Sequence, residues 1–178
     1  MENKTKWILD PAHSEIVFKV RHLMLTNVTG AFEKFTSEFT SSIDDMSKAN
    51  ISAIIEASSI CTHFIERDNH LKSADFFDVE NHKNIRFESD SFIKLDNLNY
   101  KLNGRLTIKG IAKKVSFDVE YAGVNKDPWG NQKAGFSLNG KINRKDWGLS
   151  YNVGLESGGF LIGDEIKIAA EIQFLKQD

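Results

Sequence analysis

Apolar and polar residues alternate through most of this chain. In 98–109, Leu98, Tyr100, Leu102, Leu106 and Ile108 alternate with Asn99, Lys101, Asn103, Arg105, Thr107 and Lys109. A period of two predicts a strand with one buried and one wetted face. The pattern recurs in 114–122 (Val115, Phe117, Val119, Tyr121), in 132–144 (Ala134, Phe136, Leu138, Gly140, Ile142) and in 165–174 (Ile166, Ile168, Ala170, Ile172, Phe174). Further strands are predicted at 15–22 (Ile16, Phe18, Val20), 28–41 (Phe35, Phe39), 50–58 (Ile51, Ala53, Ile55, Ala57) and 84–95 (Ile85, Phe87, Ile93, Leu95).

Turn residues separate these runs. Asp96-Asn97 and Lys109-Gly110 make tight breaks, Asp127-Pro128-Trp129-Gly130-Asn131 a longer loop, and a glycine-rich stretch from Gly154 to Gly163 precedes the last strand. Roughly eight sequential strands on short connections predict a mostly β fold, either an antiparallel up-and-down barrel or a sandwich. One segment breaks the period. Between Phe64 and Phe77, the residues Phe64, Arg67, His70, Leu71 and Ala74 fall at helical spacing. One helix is predicted there, with Thr62 as its cap, followed by a turn carrying Phe76 and Phe77.

The chain has 178 residues, no internal repeat and no linker, so 1–178 reads as a single domain. Its net charge is −2, and its basic pairs, Lys113-Lys114 and Arg144-Lys145, are short. No basic stripe for nucleic acid is present. No apolar run reaches signal-peptide or membrane-spanning length, so a cytoplasmic location is expected, although a chain whose leader had been removed would look the same.

Cys61 is the only cysteine, which excludes an internal disulfide. The five histidines, His13, His22, His63, His70 and His82, show no metal-ligand spacing. Cys61-Thr62-His63 has no visible third orienting group, and Asp75, Asp78 and Glu80 read as turn and cap residues. No catalytic residue, metal or cofactor is therefore expected.

A barrel of eight strands is either filled by its own side chains or holds one small ligand, and the alternation is the same in both. Five segments bear on this. They are Trp7-Ile8-Leu9-Asp10-Pro11-Ala12-His13-Ser14 leading to Arg21-His22-Leu23-Met24; Arg67-Asp68-Asn69-His70-Leu71-Lys72-Ser73-Ala74-Asp75-Phe76-Phe77-Asp78; Gly104-Arg105-Leu106-Thr107-Ile108-Lys109-Gly110; Asp127 to Asn131 with Ile142-Asn143-Arg144-Lys145-Asp146-Trp147-Gly148; and Gly159-Phe160-Leu161-Ile162-Gly163-Asp164-Glu165-Ile166. Together and in this order they resemble the YceI-like family. The resemblance implies a lipocalin-like barrel with a helix beside it, an apolar tunnel for a long isoprenoid or similar lipid, and a homodimer.

On that resemblance, the inward-parity and helix-turn residues become the expected tunnel lining: Phe18, Val20, Phe35, Phe39, Leu71, Phe76, Phe77, Phe87, Leu102, Leu106, Phe117, Val119, Phe136, Leu138, Ile142 and Trp147. His22, Arg67, His70 and Arg144 are expected at the mouth, against a lipid head. Arg144 has a second reading, as a strand-end residue satisfied by backbone carbonyls or water. Three functions follow: a non-enzymatic lipid carrier, an enzyme acting on a lipid or small apolar substrate in the same barrel, or a stress-related interaction domain with a filled core.

Overall fold

The computed structural model describes residues 4–42 and 45–178. Its strands are β1 (Lys4–Leu9), β2 (Glu15–His22), β3 (Thr26–Phe32), β4 (Phe35–Ser42), β5 (Asp45–Glu56), β6 (Ile60–Cys61), β7 (Asn84–Lys94), β8 (Asn99–Ile108), β9 (Ile111–Lys126), β10 (Gln132–Asn143) and β11 (Ile162–Lys176), with one helix, α1 (Ile65–Lys72). All ladders are antiparallel. The ring β1-β4-β5-β7-β8-β9-β10-β11 closes where Trp7, Ile8 and Leu9 pair with Lys176, Leu175 and Phe174. This is a closed, eight-stranded, mostly β barrel with one helix, and not a sandwich.

Six of the strands are halves of longer ones. β1 pairs with β4 while β2 pairs with β3, and β4 pairs with β5 while β3 pairs with β6. The predicted strand 28–41 is accordingly two strands broken at Glu33-Lys34. The breaks lie side by side. Glu33 N–H donates to the Ser59 carbonyl, Lys34 N–H to Ser59 Oγ, and Glu56 N–H to the Lys34 carbonyl. At the β1–β2 break, Asp10 caps a single turn of 3-10 helix begun by Pro11, and Ser14 Oγ accepts from Gln173 N–H of β11. These bends let one continuous meander curve far enough to close.

β1 itself carries no clear alternation, and the sequence gives no expectation for it. Its Thr5 and Trp7 are nonetheless buried, with Trp7 stacked on Phe39 across the ladder. In β7 the expected inward face is wrong beyond Ser89. A bulge at Ser89/Ser91 adds one residue, so Phe92 is buried while Ile93 and Leu95 are exposed. One extra residue reverses every side chain after it.

Helix α1 follows β6 and leads, through a turn, to β7. Thr62 is not its cap: the cap position is Phe64, which supplies no side-chain bond. Thr62 instead donates its N–H and hydroxyl to Asp68 Oδ1, a buried carboxylate in the first turn. No helix among the described residues is long and apolar enough to cross a membrane.

Candidate binding cavity

The barrel is hollow. Inward side chains of β2–β5 and β7–β11 surround a cavity of about 470 Å³. Pockets of a few hundred cubic ångströms are the size that takes a small molecule. Its wall includes Ile51, Leu102, Leu106, Phe117, Leu138, Ile168 and Ile172, with polar groups confined to Ser37, Tyr151 and a few residues at one end.

Three glycines help to keep this space open. Phe18 lies across the β2–β3 ladder from Gly30, and a Cβ at position 30 would stand 2.3 Å from Phe18 Cζ. The Phe87 ring folds in the same way over Gly104, and the Phe117 ring over Gly140. Rings that lie flat on backbone leave the barrel axis clear. A residue with a side chain at any of these positions would lift a ring inward.

One end of the cavity is shut by aromatic rings. Phe39 stacks on Trp7 (5.5 Å between centroids) and meets Phe174 edge-on at 4.8 Å and Phe136 at 5.7 Å. Phe136 in turn stacks on Tyr121 at 5.0 Å. Trp7, Phe39, Ala134 and Phe174 form a separate buried cluster there. The other end is the mouth, where β2 and β10 finish and α1 with its following turn lies alongside. Arg67, His70, Leu71, Phe76 and Phe77 come from that insertion, and Leu149, Tyr151 and Leu161 from the segment leading into β11, which Ile162 begins. His70 joins the two, with ring contacts to Phe76 at 5.1 Å and Tyr151 at 4.8 Å.

The expected lining residues fall on this wall with one exception. Trp147 does not line the cavity. It sits buried in a 3-10 turn after β10, and its Nε1 donates to the Leu106 carbonyl at 3.0 Å. The turn Arg144–Trp147 breaks the alternation of β10, so strand parity no longer applies there. Wall residues absent from the expected set include Phe32, Phe92, Leu149, Tyr151 and Leu161. Phe92 was hidden by the bulge, and the last three lie in a segment with no period. The β11 face, Ile166 to Phe174, alternates plainly in the sequence and also belongs to the wall.

The four expected mouth residues all touch the cavity, but they are not equivalent. Arg144 is buried, and most of its guanidinium donors are spent on the backbone: Nε donates to the Gly163 carbonyl at 2.8 Å, Nη1 to the carbonyls of Leu149 and of Tyr151 (2.9 Å to the latter), and Nη2 to that of Ile162 at 3.4 Å. Asp164 Oδ1 lies 3.8 Å away. Burial pulls the Arg144 pKa down, and the Asp164 charge opposes this. Its hydrogen bonds are those of the backbone-satisfied reading, at a position that also lines the cavity. His70 is held by Asp75 at 2.8 Å. Arg67 donates Nε to Thr62 Oγ1 and Nη2 to the Thr62 carbonyl. His22 ends β2 and faces the cavity.

Among the described residues no cysteine lines the cavity. Cys61 Sγ and His63 Nδ1 are 3.8 Å apart, but neither residue lines it. Among the described residues no three His, Cys, Asp or Glu side chains group as metal ligands.

Comparison with known proteins places this architecture. The chain is 40% identical over 171 residues to a UPF0312 protein of Staphylococcus aureus (strain N315), covering 96% of this chain and 97% of that one. The YceI protein of Campylobacter jejuni superposes with a TM-score of 0.74 at 30% identity, covering 90% of this chain and 91% of the other. A polyisoprenoid binding domain from Saccharophagus degradans shares the fold at 11% identity, with a TM-score of 0.69 over 97% of this chain and 98% of its own. Residues 7–174 match the YceI-like domain, and the chain belongs to that family.

Proposed function

We propose that this protein binds a long-chain isoprenoid or related lipid within the barrel and carries or sequesters it without chemical change. The observation that carries this reading is the cavity itself: a hollow barrel, walled by apolar side chains, shut by aromatics at one end and bordered by polar groups at the other. Burying each CH₂ contributes about 0.8 kcal/mol, so a five-carbon isoprene unit contributes roughly 3–4 kcal/mol before losses. Chain length alone then supplies affinity, and a few polar groups suffice to orient the head. The Saccharophagus domain, which has the same fold and is described as polyisoprenoid binding, supports the ligand class.

The test is mass spectrometry of organic extracts from protein purified under native conditions, followed by titration of delipidated protein with a prenol series of increasing length. Affinity is expected to rise with each isoprene unit until the cavity is full. Absence of any co-purifying lipid together with no binding of any prenol would end the carrier reading. Recovery of the ligand unaltered after long incubation separates carriage from catalysis.

A further inference from the structure

The barrel holds a second hollow beyond its aromatic plug. A cup of about 450 Å³ lies there, and it shares no lining residue with the main cavity. Three stacked ring pairs form the partition: Phe39 on Trp7 at 5.5 Å, Phe92 on Tyr100 at 4.5 Å and Phe136 on Tyr121 at 5.0 Å. In each pair the phenylalanine lines the main cavity, and the ring that carries a polar group lines the cup.

Two buried polar atoms in the cup wall are orphaned. Trp7 and Ser41 are only 4% and 1% exposed, and neither Trp7 Nε1 nor Ser41 Oγ makes a hydrogen bond among the described residues. The other buried tryptophan differs, because Trp147 Nε1 donates to the Leu106 carbonyl. Buried polar groups are nearly always paired, so orphans that border a hollow call for a partner inside it. Lysines stand beside two of the rings. Lys176 is the cross-strand partner of Trp7 and Lys94 that of Tyr100, so each lysine leaves its ladder on the same face as the ring. Neither lysine side chain makes a hydrogen bond or ion pair among the described residues. The one carboxylate described in the wall, Asp45, already accepts from the N–H and the hydroxyl of Ser47.

An indole N–H and an ammonium can only donate, so the partner must bring acceptors. Two ammoniums against one carboxylate leave a single positive charge among the described residues of the wall. That balance matches one carboxylate better than a doubly charged phosphate. The volume suits a small molecule, and Met46, Val124 and the Tyr121 ring supply an apolar flank. We infer that the cup is a second binding site, for a small carboxylate with an apolar body. Its oxygens accept from the Trp7 indole and the Ser41 hydroxyl, and Lys94 and Lys176 supply the charge. The site lies outside the main cavity and does not rest on the lipid reading.

Benzoate and benzamide, alike in size and different in charge, are the probes, each titrated into isotope-labelled protein followed by NMR. The Trp7 indole N–H signal, identified by its loss in W7F, reports on the cup. Benzoate is expected to move it downfield, as a new hydrogen bond requires, and to bind about tenfold more tightly than benzamide, the scale of one charge-assisted hydrogen bond. That advantage should shrink as salt rises. The ratio of the two affinities should fall towards unity in the double variant K94Q/K176Q, whose altered side chains have no partner in the fold to lose. An indole signal unmoved by millimolar benzoate, or shifts confined to Leu106 and Phe117 of the main cavity, overturns the site. Benzamide binding as tightly as benzoate, or a ratio unchanged in the double variant, overturns the carboxylate assignment. All of these outcomes leave the lipid-carrier reading to its own test.

Discussion

Phe18 and Gly30 are direct partners across the β2–β3 ladder, and the Phe18 ring occupies the place of the side chain that Gly30 lacks. Gly30→Val should therefore tilt the ring into the cavity. Over-packing of this kind costs about 1–3 kcal/mol, and lipid binding should fall with it. Adding Phe18→Leu should restore binding, because the smaller side chain clears the axis. Urea unfolding and prenol titration of the single and double variants check this. Undiminished binding by Gly30→Val would mean that the ring is not what limits the cavity.

Leu106 tests the hollowness of the barrel at mid-strand. In a filled core, Leu106→Trp would over-pack by about 1–3 kcal/mol. In the cavity observed here the indole can enter free space, so the lipid-free protein should keep its stability within about 1 kcal/mol while lipid binding drops sharply. Thr107, the next residue, has the opposite parity on β8. Thr107→Trp should leave binding nearly intact. A large stability loss with unchanged binding for Leu106→Trp would show that no ligand uses this part of the barrel.

Arg144→Leu should act as a folding mutation. It strips donors from the carbonyls of Leu149, Tyr151 and Gly163, and each buried acceptor left unpaired costs about 1–3 kcal/mol. A loss above about 3 kcal/mol is expected, with faster proteolytic cleavage between residues 149 and 163. Arg144→Lys should rescue little, since one ammonium cannot span the same set of oxygens. A stable Arg144→Leu variant with selectively weakened head recognition would return Arg144 to the ligand.

Acid stability should depend on Asp10. Its hydrogen bond from Lys133, at 2.8 Å, is the main cause holding its pKa below the usual carboxylate value; burial opposes it, and His13 assists. The folded pKa is lower than the unfolded value of about 3.9. The associated stability is therefore fully present above about pH 4 and is lost as pH falls through the folded pKa. Asp10→Asn should make the protein less stable near neutrality and flatten the decline of the urea midpoint in the acid range. An identical acid profile in the variant would show that this ion pair contributes nothing.

What the sequence determines by itself is the set of strands and most of the inward face. Alternation is a local property, so Leu102, Phe117, Phe136 and Ile168 are legible as inward without knowledge of any partner strand. The extra residue in β7 is different: a bulge exists only relative to the strand opposite, and it turned Phe92 in and Ile93 out. β1 shows no apolar period, because its inward Thr5 is polar and Ile8 and Leu9 are consecutive, and its place depends on Phe174–Lys176 at the far end of the chain. Parity brings Arg144 to the inside, but the oxygens it meets come from a segment that folds back over the strand end. Whether the barrel is hollow is likewise a tertiary matter. Identical alternation serves a packed core, and the space survives here because closure sets the barrel's width while Phe18, Phe87 and Phe117 fold onto glycines contributed by neighbouring strands.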